Sequence, residues 1–99
     1  MSSPILHEDI AKELNEQDWK VLFSFGYSGR YIKVWEIMEE QAIIPTIKLN
    51  KRGLLDYFKD PNVSSNSYYG LNENGVSFIG SYMNQLPKTL LFGAKVKTE

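Results

Sequence analysis

The chain has no cysteine and a single histidine, His7. The first absence excludes a disulfide, a thiolate zinc site, an iron-sulfur cluster and a cysteine nucleophile, and the second excludes a multi-histidine metal site. Long apolar runs are missing as well. No stretch approaches the ~20 apolar residues of a membrane span, and the opening Met1-Ser-Ser-Pro-Ile-Leu-His-Glu-Asp9 lacks both the basic region and the apolar run of a signal peptide. The expectation is a cytoplasmic protein with no membrane contact, no cofactor and no metal. An excess of one charge is also absent: 11 Lys and Arg face 12 Asp and Glu, for a net charge of −1. That balance argues against a strongly basic nucleic-acid binder.

What is present is a core. Of the 99 residues, 42% are hydrophobic and 13% aromatic, enough for a single domain to fold without staples and too many for disorder. The charge is unevenly distributed. Residues 1–40 carry eight acids against Lys12, Lys20, Arg30 and Lys33, a net of −4, whereas residues 41–99 carry seven bases against four acids, a net of +3. The second half is the one suited to a polyanion, although a solvated surface accounts for the same numbers.

Local signals divide the chain into short elements. Ser3-Pro4 reads as an N-cap and first helical residue, with Ile10 and Leu14 one turn apart, which predicts a helix over 4–14. Asn15 followed by Glu16 and Asp18 repeats that logic for a second helix ending near Phe25, broken by Gly26 and Gly29. Tyr31-Ile32-Lys33 alternates as a short strand. Val34, Ile37, Met38 and Gln41 then share a helical face, and Pro45 suits the first turn of a short helix over 45–52, closed by Gly53. Residues 54–59 and 67–71 flank turn residues 60–66 and predict a hairpin. Asn72 caps a last helix in which Val76, Phe78, Ile79, Tyr82 and Met83 are spaced to pack inward, as far as Pro87. One domain over 1–87 and a basic tail over 88–99 complete the plan.

That order of elements is the order of a winged helix-turn-helix domain, an α+β fold that is mainly α. Gly53-Leu-Leu-Asp-Tyr-Phe-Lys-Asp-Pro61, a polar loop, and Tyr69-Gly-Leu-Asn-Glu-Asn-Gly75 resemble the wing of MarR-type transcriptional regulators. In that family a Gly-Leu-Ile/Val segment starts the hairpin, Asp-Pro turns it, and Leu-Thr-Glu-x-Gly ends it. Trp19-Lys-Val-Leu22, Gly29 and Glu36-Ile37-Met38 extend the similarity upstream, so that it covers 15 to about 83. The resemblance implies a dimeric DNA-binding regulator, with residues 44–52 entering the major groove and 54–71 as wing.

Two departures bear on that implication. The recognition segment is nearly two turns shorter than the family's, and Asn62-Val-Ser-Ser-Asn-Ser67 lacks the arginines that a MarR wing carries after its Asp-Pro. The remaining candidates for DNA contact are Lys48, Lys51 and Arg52 on one side of the short helix, Thr46 and Asn50 for base edges, and Lys33 and Lys59 as outer phosphate contacts. The alternative is a protein-interaction module on a winged-helix scaffold that has lost DNA reading. A homodimer would form through the first helix or through the last helix and tail.

Catalytic constellations are thin, and the chain reads as no enzyme. Glu39 and Glu40 point about 100° apart on a helix and cannot share a proton. His7 has Glu8 and Asp9 beside it but no Gly-x-Ser-x-Gly elbow to serve. Gly75-Val-Ser-Phe-Ile-Gly80 has phosphate-loop glycines without the lysine that should follow them. Asn62-Val63-Ser64 fits a glycosylation pattern in a chain with no secretion signal.

Overall fold

The central element is a helix buried on almost every side. In the computed structural model, which describes residues 7–63 and 66–94, helix α2 spans Glu16–Ser28 and buries Asp18, Trp19 and Val21 through Phe25. Asn15 caps it reciprocally: its side-chain oxygen accepts from Asp18 N at 2.9 Å while Asp18 Oδ2 accepts from Asn15 N at 3.0 Å. Gly26 does not end α2, contrary to the expectation. A Cβ there would lie 2.7 Å from Ile79 Cδ1, so the missing side chain allows helix α5 to approach, and the helix stops only at Gly29, at φ 65°.

The other elements wrap this helix. Helix α1 spans His7–Glu13, strand β1 Ile32–Lys33, helix α3 Val34–Glu39 and helix α4 Ile43–Lys51. Strands β2, Leu55–Lys59, and β3, Ser67–Leu71, form the hairpin that precedes α5, Glu73–Ser81, and a 3-10 turn at Met83–Gln85. The sheet is antiparallel in the order β1-β3-β2, with Ile32 opposite Tyr69 and Leu55 opposite Leu71. Phe23, Phe25, Ile32, Ile37, Leu49, Leu54, Leu55 and Phe78 meet in one core. The Ser3-Pro4 start lies outside the described residues.

Both joints flanking α4 close with the same hydrogen-bond pattern. After α3, Gln41 N donates to Met38 O and Ala42 N to Ile37 O, each at 3.0 Å; after α4, Gly53 N donates to Asn50 O and Leu54 N to Leu49 O. Each joint needs one left-handed residue, supplied by Gly53 at φ 79° and by Gln41 at φ 56°. This is why α3 ends at Glu39 and not at Gln41. Pro45 falls in the first turn of α4, where its missing N–H costs no helical hydrogen bond.

Two sequence-based expectations about packing change. Val76 and Met83 are 61% and 44% exposed; α5 turns inward only through Gly75, Phe78 and Ile79, because the Gly75 position abuts the Leu54 carbonyl and the Leu71 side chain. Beyond Pro87 the described chain folds back: Leu91 N donates to Ser24 Oγ at 2.8 Å, and the buried Phe92 ring lies 5.1 Å from that of Phe25. Residues 90–92 are thus part of the core's cover.

Candidate nucleic-acid interface

Helix α3, the turn at 40–42 and helix α4 form the helix-turn-helix, and the β2–β3 hairpin stands beside it as a wing. Helix α4 buries Pro45, Thr46 and Leu49 and directs Ile44 (78% exposed), Ile47 and Lys51 to solvent. Ile44, Ile47, Lys48, Lys51 and Arg52 line a shallow groove of about 370 Å³.

The seven residues singled out from the sequence separate into three groups. Thr46 and Asn50 serve the fold: Thr46 is fully buried with its hydroxyl donating to Ala42 O at 2.7 Å, and Asn50 Nδ2 donates to Leu55 O at 2.8 Å, fixing the start of the wing. Thr46 therefore cannot reach a base edge. Lys48 and Arg52 are turned toward the acids at the α1–α2 junction. Lys48 Nζ donates to Asp18 Oδ2 at 2.7 Å and to Glu13 O at 2.6 Å, and Arg52 grips the Glu13 carboxylate with Nε at 2.5 Å and Nη2 at 3.0 Å. Lys51, Lys33 and Lys59 belong to no ion pair among the described residues; Lys51 and Lys59 are exposed and Lys33 is half-buried.

Electrostatics around α4 follow from those pairs. The hydrogen bond from Arg52 holds the Glu13 carboxyl below its ordinary value, helped by the charges of Arg52 and Lys48, and Glu13 in turn holds Arg52 more firmly protonated. Sequence reasoning could find the cations but not their partners, which lie 30 and 39 residues away in the chain. The wing tip is shaped by Asp60, whose Oδ1 accepts from Asn62 N at 2.8 Å and Val63 N at 3.3 Å, and it carries no cation between Lys59 and Ser67.

Both helices of the helix-turn-helix also expose apolar side chains. Trp35 and Met38 on α3 are 56% and 58% exposed, alongside Ile44 and Ile47 on α4. His7 packs edge-on to Phe78 with ring centres 5.3 Å apart, as part of the aromatic group that includes Trp19 and Tyr82. Among the described residues no group of three or more His, Cys, Asp or Glu could hold a metal ion. No helix among them is long and apolar enough to cross a membrane.

Three helices around a helix-turn-helix, a three-stranded antiparallel sheet and a hairpin wing define a winged-helix fold. Among solved structures, the chain is similar to that of a mutant of MepR from a multidrug-resistant S. aureus clinical isolate, a MarR-family winged-helix structure, with a TM-score of 0.57 and 11% identity. The match covers 79% of this chain and 63% of that one. No family model matches the sequence, and no curated protein matches it.

Proposed function

We propose that this winged-helix domain is a DNA-binding transcription regulator that meets duplex DNA with α4 and the wing. The carrying observation is the helix-turn-helix itself, with α4 turning Ile44, Ile47 and Lys51 to solvent and Lys48, Lys51 and Arg52 bordering one groove. The likeness to a MarR-family fold supports the reading. Of the residues in that surface, Lys51 is the direct phosphate contact, Lys59 reaches a neighbouring phosphate from the base of the wing, Lys33 makes an outer one, and Arg52 joins once it leaves Glu13. Lys48, Thr46 and Asn50 shape the surface without touching DNA. So few phosphate contacts call for two copies on one operator, and the regulator acts as a homodimer in the cytoplasm.

The test is the salt dependence of binding to duplex DNA by fluorescence anisotropy. Three to four phosphate contacts per protomer, hence about six to eight per homodimer, give a slope of log Kobs against log salt of about −5 to −7, and removing Lys51 from both protomers lowers its magnitude by about two. A flat salt response would reject the assignment.

A second reading has its own observation. Ile44 and Ile47 on α4, with Trp35 and Met38 on α3, expose apolar side chains where a DNA reader presents polar ones, which suits a protein-interaction module that no longer reads DNA. Its signature is a partner lost on Ile44→Asp and insensitive to Lys51→Ala.

A further inference from the structure

Arg52 meets Glu13 as one planar fork meets another: Nε at 2.5 Å from Oε2 and Nη2 at 3.0 Å from Oε1. A phosphate diester offers the same guanidinium the same pair of oxygens. The carboxylate is delivered to that place by the fold. Lys48 holds the Glu13 carbonyl at 2.6 Å and Asp18 at 2.7 Å, pinning the end of α1 and the start of α2 against α4, so that the Glu13 side chain emerges opposite Arg52. Asp18 is 4% exposed at its side chain and is tied to Asn15 N, so the acid of that pair is shielded although Lys48 itself is 31% exposed. The Glu13–Arg52 pair differs in being open: the two side chains are 46% and 35% exposed, and both ends can be reached from solvent.

We propose that Glu13 is a built-in competitor for DNA phosphate, a carboxylate that occupies Arg52 in the unbound protein and lowers the affinity of α4 for a polyanion. This deepens the DNA-binding reading and rests on it. An exposed pair is weak enough for a phosphate to displace, so Glu13 attenuates binding and does not block it. Two of the three cations on and next to α4 are thereby paired with acids from the other half of the sequence. Any event that draws α1 away from α4 would expose Arg52 and raise affinity without altering the helix-turn-helix.

The experiment compares the wild-type chain with Glu13→Gln, Glu8→Gln and Glu13→Gln/Arg52→Gln for binding to a random-sequence duplex at low salt, with a thermal melt of each protein as fold control. Glu8 is exposed on the same helix, so its substitution removes the same charge without touching Arg52. Glu13→Gln should bind about three- to tenfold tighter, Glu8→Gln less than about twofold, and the double variant should lose the gain. Equal effects of Glu13→Gln and Glu8→Gln would leave DNA binding standing and overturn the competitor. Absence of binding by all four proteins would overturn both.

Discussion

Lys48 Nζ and Asp18 Oδ2 stand 2.7 Å apart, and the ion pair they form ties α4 to the capped start of the central helix. Asp18 is therefore nearly buried and doubly used, as capping-box acid and as partner of a lysine 30 residues further along the chain. Lys48→Ala leaves that carboxylate with its Asn15 hydrogen bond alone. The expected loss is about 1–3 kcal/mol, below the cost of breaking a fully buried pair because the Lys48 side chain is 31% exposed. Lys51→Ala, one helical position outside the ion pairs, should change stability by less than about 0.5 kcal/mol. Urea unfolding of the two variants separates the structural cation from the surface one.

The turn between α3 and α4 uses glutamine where glycine fits better. Gln41 holds φ at 56°, in the left-handed region, while Gln41 N and Ala42 N close the end of α3. Gln41→Gly should stabilise the domain by about 0.5–1 kcal/mol, relief of strain outweighing the greater freedom of the unfolded chain. A rise of the melting temperature by about 3–6 °C reports it.

Phe92 covers the other side of α2. It is 4% exposed, its ring lies against Phe25, and its carbonyl accepts from Arg30 Nη2 at 3.3 Å. Phe92→Ala should destabilise by about 3 kcal/mol, the cost of an emptied aromatic site, whereas Lys88→Ala on the exposed approach should be neutral. Chemical denaturation of both variants checks the pair of expectations.

At high pH the sheet should weaken through Tyr69. Burial in β3, reinforced by Tyr57, pushes its phenol above the ordinary 10.0. A group whose folded pKa is raised contributes stability fully below its unfolded value and loses that contribution as pH rises through the folded one. Stability should therefore fall as pH rises past about 10, and Tyr69→Phe should flatten part of that decline. Urea midpoints across the range measure it.

The winged helix was legible because its signals are local. Asn15 and Asn72 cap, Gly29 and Gly53 terminate, Asp60-Pro61 turns, and each acts within a few residues of itself. Gly26 misled because its role is a contact with Ile79, more than 50 positions away in the chain, and not a bend. Val76 and Met83 misled because periodicity fixes a stripe but not which edge of the stripe meets the core. The surface of α4 was legible only in part. Lys48, Lys51 and Arg52 share a helical side in sequence spacing, but Asp18 and Glu13 claim two of them, and no short-range pattern encodes a pair spanning 30 or 39 residues. Thr46 looked like a base contact because its hydroxyl is polar; its hydroxyl is instead spent on the Ala42 carbonyl inside the core.

The most direct measurement is a backbone amide NMR titration of the full chain with a short duplex at low salt. Shifts should concentrate in residues 43–52 and around Lys59 in the wing, with Lys51→Ala reducing them throughout. Shifts absent altogether, or gathered on α5 around Val76 with α4 unmoved, would contradict DNA binding through α4 and the wing.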